Sequence, residues 1–292
     1  VSELAGRIAL VTGASRGIGE ATAERLASAG ATVIAAARTV GNMDAPEPDT
    51  LAYTVSKVRA RGGEAHASRI DLSDPASRAA FMDEVLERFG RVDLLVNNAG
   101  IAGLGARSWE MPEKHFRRVF EVDVFGPRDL MMRVLPGMIG RGHGRIVNVS
   151  STVADRAAPN PEGPPFLDFH RVAGVSAYCS AKSALNLFTR AVAAEVHGTG
   201  VSVNIVSPVN SVMTRGTREL MEKGVVTADR VQAPEDPETM AEAILALCVA
   251  DPETTNGRTT YSGQYLEEIG REVRGRDGQP RAAAVTVRSV SY

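Results

Sequence analysis

A tyrosine and a lysine four residues apart, Tyr178 and Lys182 in Ala177-Tyr178-Cys179-Ser180-Ala181-Lys182, are the pair in this chain best suited to chemistry. On a helix that spacing sets the phenol and the ammonium one turn apart on the same face. An ordinary tyrosine hydroxyl, with a pKa of about 10, is a poor base at neutral pH. A cation held beside it favours the phenolate, a tenfold change in that ionisation being worth about 1.4 kcal/mol. The pair is therefore suited to moving a proton on or off a carbonyl or alcohol oxygen.

A second chemistry lies in Thr12-Gly13-Ala14-Ser15-Arg16-Gly17-Ile18-Gly19. Its glycines allow a tight turn, bring backbone N–H groups up to a diphosphate, and let a helix pack closely on a strand. The spacing differs from the G-x-G-x-x-G fingerprint, so the expectation rests on where the turn sits, between an apolar strand and an amphipathic helix. The next strand bears on which nicotinamide dinucleotide is favoured. NAD sites place an acid about 20 residues beyond the glycines to hold the ribose hydroxyls. Here that strand ends Ala35-Ala36-Ala37-Arg38, without an acid. Arg38 and Arg16 could pair with a 2′-phosphate through guanidinium forks, so NADP is expected over NAD; two solvated surface arginines are the plain alternative.

These groups need a frame. Short β-rich apolar runs at 8–12, 32–36, 64–70, 94–97, 145–149, 201–206 and 258–261 alternate with helical patterns at 17–29, 51–61, 75–89, 112–139, 177–196 and 237–249. Such alternation predicts an α/β fold, a doubly wound parallel sheet with helices on both faces. Three segments break the rhythm: a loop at 39–50, a Pro/Gly/Ala-rich excursion at 153–175, and an Arg/Gly-rich tail after Gly270, expected to be poorly ordered or to pack on a neighbouring subunit.

With 292 residues, 43% of them hydrophobic, the chain can build a sizeable core. A net charge of −2 with dispersed arginines gives nucleic-acid binding little support. The chain shows neither a leader pattern nor a run of about 18 apolar residues, so a cytoplasmic protein without a membrane span is expected. Cys179, Cys248 and the five histidines form no metal-ligand pattern, and no metal is expected.

With Thr12–Gly19, Asn97-Asn98-Ala99-Gly100 and Tyr178/Lys182 in this order, the sequence resembles the short-chain dehydrogenase/reductase family from about Ile8 to Tyr261. The resemblance implies one Rossmann-like domain over residues 1–269, with substrate-loop insertions near 153–175 and 210–236 and a tail at 270–292. It also implies a homotetramer or dimer formed through the two long helices at 112–139 and 177–196. Carried over, Tyr178 is the acid/base, and Lys182 is its electrostatic partner, also bonding the nicotinamide ribose. Ser151, rather than Ser150, donates to the substrate oxygen. The expected cofactor contacts are Gly13, Ser15, Arg16, Gly17, Ile18 and Gly19 at the turn, with Arg38 after the second strand. Asp71 and Leu72 would meet the adenine, Asn98, Ala99 and Gly100 the ribose, and Pro208 and Thr214 the nicotinamide side.

The chain departs from the family pattern in three places. Asp123 stands where an asparagine usually holds the water of a proton relay behind the lysine. It is expected to keep the relay while favouring protonated Lys182, with a helix-surface acid as the plain alternative. Ser151 and Tyr178 lie 27 residues apart, against about a dozen in the family, because of the 153–175 excursion. After the sixth strand, Ser207-Pro208-Val209 replaces a Pro-Gly pair, so the backbone there is expected to take another path. The last strand is followed by Tyr261-Ser262-Gly263-Gln264-Tyr265, not by the family's Asp-Gly-Gly.

The function these features predict is NADP(H)-dependent interconversion of a secondary alcohol and a carbonyl on a small, apolar molecule. The apolar character rests on Leu104, Trp109, Phe166, Leu167, Phe169 and Met213 in the segments expected to line the cleft. The rival is a non-catalytic nucleotide-sensing or scaffold protein on the same fold.

Overall fold

The computed structural model describes residues 2–101, 106–155, 175–222 and 234–281. Seven strands form one parallel sheet: β1 (Ile8–Thr12), β2 (Thr32–Ala37), β3 (Glu64–Arg69), β4 (Leu94–Asn97), β5 (Gly144–Val149), β6 (Val201–Ser207) and β7 (Thr259–Tyr261). Their order is β3-β2-β1-β4-β5-β6-β7, with every pair parallel. All residues of β4, β5 and β6 are buried, as expected of strands with helices over both faces.

The helices are α1 (Gly17–Ser28), α2 (Leu51–Ala60), α3 (Pro75–Phe89), α4 (Glu113–Phe120), α5 (Gly126–Gly140), α6 (Ser176–Glu195), α7 (Arg215–Glu222), α8 (Pro237–Val249) and α9 (Ser262–Glu268). One half of the core packs α1, α2, α8 and α9 through Leu26, Leu51, Ile244 and Leu266. The other half packs α3, α5 and α6 through Met82, Leu130, Met138 and Val192. The chain leaves β1 toward β2 on one side and resumes at β4 on the other. That reversal of direction opens a crevice at the carboxyl ends of β1 and β4.

Three expectations are corrected. The single helix expected at 112–139 is broken by a π turn, Glu121–Phe125, between α4 and α5. The wider turn rotates the helix face, and Asp123 points into the core with 0% exposure, so it is not a surface acid. Helices α7 and α9 were not foreseen, since each is only two turns long and α9 contains Gly263. The start of the tail, expected to be poorly ordered or to pack on a neighbouring subunit, is ordered against its own chain. Arg271 pairs with Glu3 and Glu242, Arg276 with Glu24 and Glu238, and Arg281 with Asp236, strapping residues 270–281 across α1 and α8 of the same chain. No helix among the described residues is long and apolar enough to cross a membrane.

Candidate active site

The glycine turn is assembled by close contacts. Gly13 (φ +67) and Gly17 (φ +62) take left-handed conformations that side chains disfavour. A Cβ on Gly19 would stand 2.3 Å from the Gly13 carbonyl oxygen and 2.5 Å from Asn98 Nδ2, so only glycine lets α1 settle this close to β1 and β4. The Thr12 hydroxyl accepts the N–H groups of Asn98 and Ala99, each at 3.1 Å. The Asn98 amide donates back to the Thr12 carbonyl at 2.9 Å. Thr12 and Asn98 thus stitch the two strand ends together. Sequence alone assigns Thr12 no task, because its partners lie 86 and 87 residues away. Arg16, the extended residue before α1, caps none of the leading N–H groups of the helix with its side chain.

Above this turn lies a cleft of about 640 Å³, lined by Gly13, Ser15, Arg16, Gly17, Ile18, Arg38, Asp71, Leu72, Asn98, Ala99, Gly100 and Thr214 among others. All twelve belong to the expected cofactor set. Gly19, Tyr178, Lys182 and Pro208, also expected to meet the cofactor, lie outside its walls: Gly19 serves packing, and Pro208 is half-buried. Asp49 and Arg118 line the cleft without having been foreseen. Burial works to raise the Asp71 carboxyl, but bonds from Ser73 and the charges of Arg38 and Arg118 hold it below its usual range. The floor is braced by Arg78, missed in the sequence because its partners come from distant segments. Its buried guanidinium donates to the Leu72 carbonyl at 2.5 Å, to Glu121 of the π turn at 2.8 Å and to Asp129 of α5 at 2.8 Å.

The inner end of the cleft leads to the catalytic candidates. Ile101 lines the cleft, and its backbone N–H donates to Asp123 at 3.0 Å. The other Asp123 oxygen lies 3.1 Å from Lys182 Nζ, which also donates to the Val149 carbonyl at 2.9 Å. A Cβ on Gly100 would stand 2.7 Å from that Asp123 oxygen, so glycine there makes room for the ion pair. The Lys182 ammonium lies 5.7 Å from the centre of the Tyr178 ring, and the Ser151 hydroxyl is close enough to the phenol to favour its ionisation. Ser151 is held by the short 3-10 turn Thr152–Asp155, which Ser183 of α6 ties down through the Ala154 carbonyl. The neighbouring Ser150 is buried, and its hydroxyl has no partner among the described residues.

The electrostatics refine the expectation for the tyrosine. Burial raises the Tyr178 phenol; Lys182 and Ser151 oppose this, while Asp123 adds to it, and the net direction is upward. In the protein by itself, the phenol therefore stays protonated, ready as an acid rather than as a phenolate. Burial works to lower the Lys182 ammonium, but Asp123 and Tyr178 outweigh it, so the lysine remains charged. Burial also raises the Asp123 carboxyl, more than Lys182 and the Ile101 amide lower it. Lys182 and Asp123 meet directly as an ion pair.

After β6 the backbone does pass through Val209 without strain. Among the described residues, Asp49 (φ +65) is the only non-glycine with a positive φ, so Val209 needs none of a glycine's freedom. Thr214 reaches the turn nonetheless: its methyl is 3.1 Å from where a Cβ on Gly17 would stand. Of the expected substrate-lining residues, Leu104, Phe166, Leu167 and Phe169 lie outside the described residues, as does most of the 153–175 excursion. Trp109 is 77% exposed and Met213 is half-buried.

A family model for short chain dehydrogenases matches residues 7–164 and 167–223. The chain belongs to the short-chain dehydrogenase/reductase (SDR) family. Among SDR relatives, it is 32% identical to a short chain dehydrogenase of Pseudocercospora fijiensis, over 98% of this chain and 90% of that protein. It is 29% identical to a 7alpha-hydroxysteroid dehydrogenase of Escherichia coli, over 91% of this chain and 96% of that one. The crystal structure of a metagenomic short-chain oxidoreductase in complex with NADP superposes with a TM-score of 0.70 at 29% identity, covering 89% of this chain and 98% of the other. A 3-oxoacyl (acyl-carrier-protein) reductase of Agrobacterium tumefaciens with NADP bound gives 0.72 at 28% identity, over 88% and 93%. The chain is thus an SDR oxidoreductase of the NAD(P)-dependent kind.

Proposed function

We propose that this SDR interconverts a secondary alcohol and a ketone, or a similar carbonyl pair, on an apolar small molecule, with NADP(H) preferred over NAD(H). The observation that carries the reading is the cluster at the inner end of the cleft: Ser151 beside the Tyr178 phenol, and Lys182 beneath that ring, paired with buried Asp123. A bound nicotinamide dinucleotide would supply or take the hydride. The leading N–H groups of α1 would hold its diphosphate, Asp71 and Leu72 its adenine side, and Thr214 the opposite wall. Arg16 and Arg38 line the cleft where a 2′-phosphate would lie, which supports NADP.

In the reducing direction, Tyr178 gives its proton to the carbonyl oxygen while Ser151 donates a second hydrogen bond to it. Charged Lys182 then stabilises the phenolate left behind. In the oxidising direction, the same phenolate removes the alcohol proton. Asp123 keeps Lys182 charged and in place, and the Val149 carbonyl fixes its remaining direction.

Two similar proteins are named for a hydroxysteroid and for a 3-oxoacyl group. Both names fit a carbonyl carried on an apolar body, and they set the first substrates to try. The homo-oligomer reading is supported by Phe116, Phe125 and Leu187, which stand exposed on the α4–α6 side; solution scattering measures it. The test of function is a screen of ketones and alcohols with NADPH and NADH followed by absorbance. Turnover of apolar carbonyls with NADPH supports the proposal. Turnover with NADH alone overturns the cofactor preference, and dinucleotide binding without any turnover favours the sensing alternative.

A further inference from the structure

Between the end of β6 and Thr214, which lines the cleft, the chain has almost no regular structure to support it. Glu235, which lies 26 residues beyond Val209 in the sequence, provides the support. Its carboxylate accepts the Val209 N–H at 2.9 Å, the Asn210 N–H and the Ser262 hydroxyl. Its own N–H donates to the Ser211 carbonyl at 3.0 Å, and its carbonyl accepts the Met213 N–H at 3.1 Å. Val212 and Glu235 form an isolated parallel bridge. One residue therefore holds the whole stretch 209–213, and it does so at 5% exposure, where a carboxylate is costly unless well bonded. Residue 214, the next one along, packs against the glycine turn.

We propose that Glu235 is the positioning residue for the wall that faces the nicotinamide half of the cofactor. This rests on the dinucleotide reading above. The carboxylate does what a glycine-permitted turn does elsewhere: it gathers two successive amides, at Val209 and Asn210, and so sets where Thr214 stands over Gly17. A glutamine can keep its oxygen toward the amides and turn its NH2 to the Ser262 hydroxyl, which also accepts, so what the substitution removes is the charge on those bonds.

The experiment compares wild type, Glu235→Gln and Ser262→Ala by calorimetric titration with two probes: NADPH, and its adenosine bisphosphate fragment, which lacks the nicotinamide half. Glu235→Gln should bind NADPH about tenfold more weakly, the loss of a charge-assisted bond, and bind the fragment as wild type does. Once a substrate is in hand, its kcat should fall while the substrate KM stays. Equal weakening for both probes means a purely structural role and overturns the inference, as does no weakening for either. If Glu235→Gln does not fold, Ser262→Ala, which keeps the carboxylate but removes one donor, decides by the same contrast on a smaller scale. Wild type failing to bind NADPH would overturn the dinucleotide reading itself, whereas normal NADPH binding by Glu235→Gln overturns only the role of Glu235.

Discussion

Two clusters of buried charge sit on opposite faces of the sheet, and they are built differently. Behind the sheet, Glu242 accepts Arg25 at 2.7 Å and Arg271 at 2.6 Å, while Glu24 accepts Lys57 at 3.1 Å, Arg276 at 3.0 Å and also Arg61. Each carboxylate there meets at least two cations, and two of the cations come from the tail. In front, Asp123 and Lys182 form, among the described residues, a single ion pair with one backbone bond apiece, next to a phenol. Burial raises both the Asp123 carboxyl and the Tyr178 hydroxyl. The rear cluster is saturated and holds elements together. The front cluster is sparsely compensated, so the position of a proton there responds to small changes, as sites that transfer protons require.

Removing one cation from each cluster should separate the roles most widely. Lys182→Met leaves the Tyr178 phenolate unsupported, and kcat/KM should fall by roughly 10²–10⁴ in steady-state assays. Arg25→Met should leave kcat near wild type but cost about 3 kcal/mol in urea unfolding, since Glu242 loses its bidentate partner in the interior. Ending the chain at residue 269 removes Arg271, Arg276 and Arg281 together. These pairs are partly exposed, so a smaller loss of about 1–2 kcal/mol is expected, seen as a lower denaturation midpoint with turnover retained.

Asp123→Asn gives the smallest and most specific effect. The Asp123 charge raises the Tyr178 phenol, so neutralising it lowers the pH at which the phenol ionises. Alcohol oxidation needs the ionised phenol, and its rising limb in a pH–rate profile should move to lower pH. The falling limb of carbonyl reduction should move the same way. An unchanged profile would remove Asp123 from the proton path. Stability responds as well, because the Asp123 carboxyl is raised on folding. Holding it ionised costs stability as pH rises through the folded value, a cost that Asp123→Asn removes while leaving the Lys182 ammonium buried without its counter-charge, so the two effects oppose each other in urea unfolding at neutral pH.

Much of this frame was legible in the residues. The seven apolar runs fall on the seven strands within a residue or two, because buried parallel strands carry continuous Val/Ile/Ala stretches such as Ile146-Val147. The glycine turn was legible because backbone geometry restricts its residue types. What stayed hidden depends on contacts between distant segments. The π turn has no composition of its own; it shows only where Asp123 meets Lys182, 59 residues on, across Gly100. The tail read as poorly ordered or as packing on a neighbouring subunit because Glu3, Glu24 and Glu242 give no local sign of being partners of its arginines. Arg78 and Glu235 are hidden for the same reason.

The most direct test is single-turnover reduction of a carbonyl found in the screen, with NADPH bound, in wild type and in Tyr178→Phe. The account predicts that Tyr178→Phe still binds NADPH but transfers hydride at least about a hundredfold more slowly, for want of its proton donor. Equal rates in the two proteins would contradict it.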